Sequence, residues 1–556
     1  MRLLSWPSVT QLLLAPLVIA SASEYNDYSE NLLLKSLPGN SLLASFRFVS
    51  NGTFDSHHSV FPRSLAQILQ QSQTKELHLK FTLGRWDAEQ WGRQVWDGRT
   101  AGGTGVELWA WVDAADDAEA DARWTTLNNA LSGLFCASLN FIDSTRTIRP
   151  VMSFQPAGHH SPEGLERLHL LHGTLPREPV CTENLTPFLK LLPCKGKAGI
   201  SSLLDGHRLF DAQWQSMSID VKPVCEEDGK CQLQMEQTKP YAGGDSCFPL
   251  SGVTDLPWSL SEMFGRPIRG SCPLAVVPTE EATHVCVNIA EQRSIFVSQG
   301  SEERKKSPEL RCFILHENID FDIVLPELSP STNLLPTTPP VYASRSLTGH
   351  GQERGGIQAV LNNPSSNSTV EFVYLESLPW FMKPYLHTLS ATISGKDDRN
   401  IIQDIYYRPA LDRKRGTQLE VRLRVPPGET VLLNYEFDKA VLRYTEYPPD
   451  ANRGFDIAPA VISILDPASQ KSTFSIRTTS LLLSLPTPDF SMPYNVIILT
   501  STVMALAFGS IFNILVRRFV GADEVIGGGL VSKIRGHIMA FAAKRGRAGG
   551  DKPKTE

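Results

Sequence analysis

Residues 496–516 read VIILTSTVMALAFGSIFNILV, and Arg517 and Arg518 follow at once. These 21 residues carry no charge, and at about 1.5 Å per helical residue they can cross a hydrocarbon layer of roughly 30 Å. After them the chain has nine Lys and Arg against four Asp and Glu. Because basic residues mark cytoplasmic flanks, the pattern predicts a transmembrane helix over 494–516, a cytoplasmic tail over 517–556 and a lumenal or extracellular location for the rest. A buried core helix is the alternative interpretation.

The N-terminus agrees with that orientation. Arg2 precedes an apolar run over residues 9–20, and Ala-Ser-Ala at 20–22 is a small-x-small cleavage site. We therefore expect a secretory signal over residues 1–22, because the apolar run is too short to serve as an uncleaved anchor. The mature chain is then a single-pass type I membrane protein.

Length and charge narrow the function classes. The chain has 556 residues and a net formal charge of −6, and its lumenal part is too long for one hydrophobic core, so several domains are expected. No basic patch stands out before the span, which argues against nucleic-acid binding. Three N-glycosylation sequons fit a lumenal chain, and they begin at Asn51, Asn184 and Asn367.

All nine cysteines lie between Cys136 and Cys312. Disulfides are expected in this compartment, and the odd count leaves one thiol free or paired with another chain. Cys225 and Cys231 flank an Asp-Gly turn signal, which makes a bridge between them easy. Cys136 has apolar neighbours on both sides, and we expect it to be a buried free thiol.

Residues 23–325 are predicted to form an N-terminal lumenal domain of mixed α/β and then β-rich structure. Apolar residues alternate over 76–83 and 106–112, which predicts strands. Trp124, Leu127, Leu131 and Leu134 have the spacing of an amphipathic helix. A further short helix is expected over 65–71.

A Pro-rich passage over residues 326–345 predicts a domain boundary. Beyond it, residues 346–490 show the strongest strand patterns, over 369–376, 419–425 and 431–437, with Pro/Gly turns that suggest a β-sandwich. The predicted fold is mainly β with an α+β N-terminal part: two β-sandwich-like lumenal domains followed by one C-terminal transmembrane helix.

Catalytic signatures are missing from the sequence. It contains no GxSxG, Walker loop, HExxH or GxGxxG in a strand-turn-helix context. His159 and His160 are the nearest approach to a metal pair, but we interpret them as exposed loop residues. Asp397 and Asp398 are interpreted as a solvated face. We therefore predict a non-enzyme with no cofactor and no metal.

Several long strings resemble one known family. They are FCASLNFIDST (135–145), CTENLTPFLKLLPC (181–194), LTGHGQERGG (347–356), YLESLPWFMKPYL (374–386), YTEYPPDANRGF (444–455) and LPTPDFSMPYNV (485–496). Their content and order resemble the PIG-T family, the lumenal β-rich subunits of the glycosylphosphatidylinositol (GPI) transamidase. The match is weakest over 232–330 and in the tail.

The resemblance implies a non-catalytic scaffold in an endoplasmic-reticulum membrane complex that joins proprotein C-termini to a GPI lipid. The caspase-like PIG-K subunit would perform the acyl transfer, and PIG-S, PIG-U and Gaa-type subunits would be further partners. The resemblance also implies a disulfide from Cys181 to PIG-K, with an ordinary intrachain bridge as the alternative. The intrachain pairs would be Cys194–Cys272 and Cys225–Cys231, with Cys286–Cys312 as a further hypothesis.

The family is also implicated in cradling the GPI head group. The matching positions are Asn452, Asp489, Ser491 and Asn495. Asp489 is the only charge between Thr478 and Asn495, and it could pair with a phosphoethanolamine ammonium while the amides and hydroxyl bond phosphate or sugar oxygens. In the alternative interpretation, Ser491 only caps the transmembrane helix.

The span itself favours membership of a complex. Small and polar residues recur every four positions, at Ser501, Ala505, Gly509 and Asn513, and such a stripe lets another helix approach closely. Asn513 in an apolar run is costly unless it is partnered. The alternative functions are a type I cell-surface adhesion or receptor glycoprotein and a lumenal hydrolase with an unrecognised site.

Overall fold

The structure is a computed structural model. It describes residues 27–38, 41–52, 60–225, 231–244, 258–275, 282–289, 294–298, 302–307, 309–325, 336–349, 351, 353–393, 395–397, 400–486, 491–517 and 533–540. The signal expected over 1–22, Asp489, the first half of the Pro-rich boundary and most of the tail lie outside these residues. The chain divides into two compact units, Met1–Pro486 and Thr487–Glu556.

Strands dominate the first unit. In its N-terminal part they are β1 (Tyr28–Leu37), β2 (Ser41–Gly52), β3 (Thr74–Gly84), β4 (Gly105–Asp113), β5 (Thr147–Ile148), β6 (Leu168–Leu175), β7 (Trp214–Cys225), β8 (Cys231–Gly244), β9 (Trp258–Ser259), β10 (Ile268–Arg269), β11 (Thr283–Asn288), β12 (Phe296–Val297), β13 (Glu302–Ser307), β14 (Leu310–Ile314), β15 (Asp320–Phe321) and β16 (Ile323–Leu325). In its C-terminal part they are β17 (Tyr342–Thr348), β18 (Arg354–Asn362), β19 (Val370–Leu378), β20 (Met382–Ile393), β21 (Lys396–Asp397), β22 (Ile402–Arg408), β23 (Thr417–Val425), β24 (Thr430–Lys439), β25 (Phe455–Ile457), β26 (Val461–Leu465), β27 (Ser472–Arg477) and β28 (Leu481–Leu483).

Helices are fewer, and most precede β9. They are α1 (Arg63–Gln71), α2 (Ala88–Trp91), α3 (Asp117–Phe135), α4 (Thr182–Leu191), α5 (Gly206–Leu209), α6 (Leu260–Phe264) and α7 (Ser491–Val516). The helix predicted over 65–71 corresponds to α1, and the amphipathic helix predicted from Trp124, Leu127, Leu131 and Leu134 corresponds to α3. Asp116 begins α3 by accepting a hydrogen bond from the backbone N–H of Glu119, as an N-cap residue does.

Eleven strands form one large sheet. Their order is β13-β14-β11-β1-β2-β8-β7-β3-β4-β6-β5. The β1–β11 pair is parallel and the others are antiparallel. One face of this sheet is apolar: Leu79 of β3 and Leu108 of β4 share a core with Trp124, Leu127 and Leu131 of α3. Alternation in the strands and helical spacing in α3 bring these residues to one layer.

On the opposite face of the large sheet, the stretch along β3 is polar and also buried. It carries Glu76, His78, Lys80 and Thr82, none of which is more than 7% exposed. The C-terminal part lies against this face, where Val461 packs with Trp109 of β4. This polar face is therefore an internal contact between the two parts of the unit.

The C-terminal part consists of two five-stranded sheets. Their orders are β17-β18-β24-β20-β21 and β22-β23-β19-β26-β27. The alternating residues of β23 that the sequence marks as apolar, Leu419, Val421, Leu423 and Val425, are buried between the sheets. This is the sandwich arrangement expected from the strand patterns.

The mainly β fold with an α+β N-terminal part and one C-terminal apolar helix is confirmed. In the N-terminal part, helices rather than a second large sheet supply the layer facing the apolar side of the sheet, because α3 presents an amphipathic face to it. The two cores share no residue: one ends at Leu325 and the other begins at Val341. The exact domain limits stay predictions.

Candidate functional site

Cys181 lies where α4 begins. It is the extended N-cap residue of that helix, half-buried, with a free thiol. The side-chain oxygen of Asn184 accepts a hydrogen bond from the backbone N–H of Cys181 at 2.9 Å, and the backbone N–H of Asn184 returns one to the carbonyl of Cys181 at 3.1 Å. The backbone that carries the thiol is therefore held in place at the helix end.

Asn184 also joins α4 to the end of α3. Its side chain is 2% exposed, and its Nδ2 donates to the carbonyl of Phe135 at 2.9 Å. Both ends of the carboxamide are thus bonded inside the fold, which leaves no accessible acceptor for a glycan. In the folded chain Asn184 is a buried capping residue, and its glycosylation stays a prediction.

Cys136 ends α3, beside the same asparagine. It adopts a left-handed conformation with φ of 51° and is exposed. The prediction of a buried thiol is wrong. Phe135 and Ala137 are the neighbours that enter the core, and the turn that ends the helix directs the residue between them towards solvent.

Six other cysteines form three disulfides. They are Cys194–Cys272, Cys225–Cys231 and Cys286–Cys312, the pairs named from the sequence. The last pair joins two neighbouring strands, β11 and β14. Cys247 lies outside the described residues, so Cys136 and Cys181 are the two free thiols in the part of the chain that the structure describes.

The head-group residues fall in different places. Asn452 is exposed in the loop before β25 and belongs to the unit that ends at Pro486. Ser491 is the first residue of α7, and Asn495 is exposed on that helix; both belong to the other unit. Asp489 lies outside the described residues. This set stays a prediction.

The remaining sequons differ from Asn184. Asn367 is exposed in the loop before β19. Asn51 lies near the end of β2, half-buried, and its Oδ1 accepts a hydrogen bond from Gln234 at 3.2 Å. Glycosylation at these two positions stays a prediction.

A chain of buried charges crosses the polar face of the large sheet. The two oxygens of Glu76 contact Nε2 of His78 at 2.8 Å and Nε2 of His160 at 2.9 Å, and Nδ1 of His78 contacts Asp220 at 2.6 Å. Burial alone would raise the pKa of Glu76, but the two histidines outweigh it and hold that pKa below its usual range. The interpretation of His160 as an exposed loop residue is wrong, since its side chain is 8% exposed; His159 is exposed.

The same face joins the C-terminal sandwich through Glu107 of β4. Arg477 of β27 reaches both oxygens of its carboxylate at 3.1 Å, and Nε2 of His172 lies 3.2 Å away. Burial would raise the pKa of Glu107, but Arg477 and His172 hold it below its usual range. Burial together with Arg477 lowers the pKa of Lys80 to about 7.

Glu420 makes a second polar contact between the sandwich and the N-terminal part. Glu420 of β23 accepts hydrogen bonds from three successive backbone N–H groups of Val151, Met152 and Ser153, at 2.7, 2.9 and 2.9 Å. Such a run of amides is a nest for a negative charge. Together with Arg477 and Glu107, it fastens the sandwich to the large sheet.

A cleft of about 510 Å³ opens beside Arg477. Its walls come from both parts of the first unit and include Arg85, Trp86, Tyr342, Arg345, Phe474 and Arg477. No sequence motif marks this cleft, because its lining is drawn from several distant segments. Among the described residues, no group of three His, Cys, Asp or Glu side chains could hold a metal ion.

The helix α7 contains the predicted span. By length and hydropathy, the segment Tyr494–Val516 could cross a membrane, with none of its apolar window buried. Ser501, Ala505, Gly509 and Asn513 lie along it at intervals of one turn, and the space beside Gly509 is open.

Comparison with known proteins gives consistent matches over most of the chain. The model of the family described as Gpi16 subunit, GPI transamidase component, matches residues 12–239 and 236–539. The chain is 42% identical to the GPI transamidase component GPI16 of Saccharomyces cerevisiae over 553 residues, covering 89% of each chain. It is 38% identical to the GPI transamidase component PIG-T homolog of Schizosaccharomyces pombe, over 90% of this chain and 92% of that one. It is 34% identical to the GPI-anchor transamidase component PIGT of Homo sapiens, over 91% of this chain and 92% of that one.

Proposed function

The chain belongs to the Gpi16 family of GPI transamidase components, and we propose from this that it is the non-catalytic subunit that holds the caspase-like PIG-K subunit through a disulfide at Cys181. The observation that carries the proposal is the free thiol of Cys181 on a rigid helix junction. Six other cysteines are already paired within the chain, which leaves this half-buried thiol available to another chain.

The proposed setting is the endoplasmic-reticulum membrane. A cleaved signal at 1–22, a lumenal chain up to the span and a cytoplasmic tail over 517–556 are supported by the apolar N-terminus and by the basic residues after Val516. Occupied sequons at Asn51 and Asn367 would make it a glycoprotein. PIG-S, PIG-U and Gaa-type subunits are the proposed further partners, and the stripe on α7 is a face that could pack on their spans.

Catalysis is proposed to belong to PIG-K. The sequence offers no nucleophile motif. Cys136 and Cys181 are the free thiols in the described residues, and the proposal uses Cys181 for a structural bond. The chain's own contribution to the reaction would be to position the enzyme subunit and the lipid.

A non-reducing gel of the complex purified through this chain tests the proposal. The wild type should run as a heterodimer with a caspase-like protease, and Cys181→Ser should lose that band. Cys136→Ser removes the other free thiol of the described residues and is the matched control, which should keep the heterodimer band. A heterodimer that survives Cys181→Ser, or a wild-type monomer that reaches the cell surface as an adhesion protein would, contradicts the proposal.

The second part of the proposal is that the chain helps to position the GPI head group. Asn452, Asp489, Ser491 and Asn495 match the family strings that suggest this role, and Asp489 can pair with an ammonium group near the membrane. Asp489→Ala is expected to lower GPI attachment in cells while the complex still co-purifies. Thr487→Ala, two residues away and outside the proposed set, is the control. Unchanged GPI attachment in both Asp489→Ala and Asn452→Ala would contradict the proposed head-group role.

A further inference from the structure

The segments that carry the two free thiols of the described residues meet at one buried amide, the side chain of Asn184. The carboxamide of Asn184 accepts from the backbone N–H of Cys181 at 2.9 Å. Its nitrogen donates to the carbonyl of Phe135 at 2.9 Å and approaches the carbonyl of Cys136 at 3.5 Å. The backbones at positions 136 and 181 are therefore linked through one side-chain amide and its contacts on either side, although the residues lie 45 positions apart in the sequence.

A second contact holds the same two segments together. The backbone N–H of Ser138 donates to a side-chain oxygen of Glu178 at 2.6 Å. The segment after α3 and the segment before α4 are thus joined on both sides of the cysteines. The junction keeps the two backbone segments close, while the turn at Cys136 leaves that residue exposed.

We propose that Cys136 is a resolving thiol for any disulfide formed at Cys181. This inference rests on the proposed intersubunit bond for its biological use, but not for its chemistry. The other six described cysteines are committed to bridges, so Cys136 is the described thiol free to attack. Cys136 belongs to none of the three intrachain disulfides, so those disulfides give it no role.

The exchange is balanced without an oxidant or a reductant. The thiolate of Cys136 attacks Sγ of Cys181, the bond between Cys181 and its partner sulfur breaks, and the partner leaves as a thiolate. One disulfide is consumed and one is formed, Cys136–Cys181. The proton lost from Cys136 ends on the departing thiolate.

The geometry of a disulfide decides which segment must move to join Cys136 and Cys181. A disulfide needs Cα atoms roughly 4.4–6.8 Å apart. Cys181 is fixed by the start of α4, whereas Cys136 follows the last turn of α3 and faces solvent. The turn at Cys136 is the side that adjusts. The reaction would break the covalent link between Cys181 and its partner, while the non-covalent contacts between the two chains remain.

Oxidised glutathione provides a test without the partner. The full chain, purified alone in detergent and reduced at its free thiols, is treated with oxidised glutathione, quenched with an alkylating agent and mapped by mass spectrometry. The wild type should lose glutathione from Cys181 at least tenfold faster than Cys136→Ser and should give a Cys136–Cys181 cross-linked peptide. Cys136→Ala serves as the second variant and should behave as the serine variant does.

Two results would overturn the inference. One is an adduct at Cys181 that persists equally in the wild type and in both variants. The other is loss of the adduct without the cross-linked peptide. Neither depends on PIG-K, so failure here leaves the proposed function standing, whereas failure of the heterodimer test leaves this exchange chemistry untouched.

The purified complex gives the second measurement. After alkylation under native conditions, the fraction of the partner that is not covalently linked is read from a non-reducing gel. Cys136→Ser should reduce this fraction several-fold, because the escape route is gone. An unlinked fraction that is the same in wild type and variant shows that Cys136 does not resolve the bond and overturns its proposed use in the complex.

Discussion

Arg477 of β27 donates two hydrogen bonds, each 3.1 Å long, to the carboxylate of Glu107 on β4, 370 residues earlier in the chain. Both side chains are almost fully buried, with 5% and 2% of their surface exposed. Removing one partner of such a pair leaves a charge without compensation in a poorly solvated place. The pair thus makes the association of the sandwich and the large sheet depend on both residues.

Arg477→Met is expected to destabilise the first unit by about 3–5 kcal/mol, because Glu107 stays buried without its main partner. The midpoint of thermal unfolding of the full chain in detergent measures the effect. Arg453→Met is the control: Arg453 pairs with Asp456 at 3.3 Å on the surface, and such pairs contribute about 1 kcal/mol or less. Similar shifts for the two variants would show that the buried pair has no special weight.

The buried carboxyl group of Glu30 should make the stability of the fold depend on pH. Burial raises the pKa of Glu30 to about 7, although Tyr28 and the backbone of Ile200 donate to its carboxyl group. The pKa of Glu30 is lower in the unfolded chain. At a pH between the two pKa values, the folded chain therefore holds a proton on Glu30 that the unfolded chain has lost. Its contribution to stability is full below the unfolded pKa and is lost as the pH rises through about 7.

Glu30→Gln is neutral at every pH, so its stability relative to the wild type should rise between pH 5 and 7, by at most about 1.4 kcal/mol per pH unit. Thermal unfolding measured at half-unit pH intervals checks the slope. Glu262→Gln changes an exposed carboxylate on α6 and should show no comparable trend. A flat difference between Glu30→Gln and the wild type contradicts the prediction.

We expect glycosylation of the sequons to differ with the burial of their asparagines. Thr369→Ala, which removes the sequon of exposed Asn367, should lose one glycan in a deglycosylation gel. Thr186→Ala, which removes the sequon of buried Asn184, should change nothing. Asn184→Ala should instead destabilise the fold by about 1–3 kcal/mol, because the amide and carbonyl that it satisfies lose their partner. Loss of a glycan in Thr186→Ala would show that Asn184 is modified before it is buried.

The stripe on α7 predicts a packing face. Gly509→Leu adds bulk where the space beside the helix is open. It should lower recovery of the proposed partner subunits with this chain by about tenfold, since close approach of helices depends on small residues. Ala507→Leu adds similar bulk about 160° away around the helix, at ~100° per residue, and should preserve assembly. Equal recovery with both variants would show that the stripe faces lipid.

Local patterns predicted most of the strands and helices but little of what connects them. Alternation placed Leu77, Leu79 and Phe81 of β3 on a core face, because that pattern depends only on neighbours in sequence. It carried no sign that His78 and Lys80, on the other face, are also buried. Their partners come from distant segments, and a charged residue alternating with leucine has the same pattern whether solvent or another domain covers it.

The candidate site shows the same limit. Apolar neighbours made Cys136 look buried, yet the residue is exposed because a helix ends there and the chain turns. Asn184 matched a sequon, but its amide caps α4 and joins it to α3. The turn at the end of α3 and the contact of Asn184 with that turn depend on a meeting of two helices that no local pattern encodes. The family strings suggested a role for Cys181 that its free thiol allows.

The parallel pairing of β1 with β11 constrains how the protein can be made. Asn31 of β1 contacts His284 of β11 across 253 residues of intervening chain. At ~5–20 residues per second of synthesis, β1 waits roughly 13–50 s before that neighbour exists. During this interval one edge of the β1–β2 hairpin is open to any other strand, which is a known route to aggregation. The chain should therefore depend strongly on chaperones during synthesis, and its biogenesis should suffer when synthesis pauses between β8 and β11.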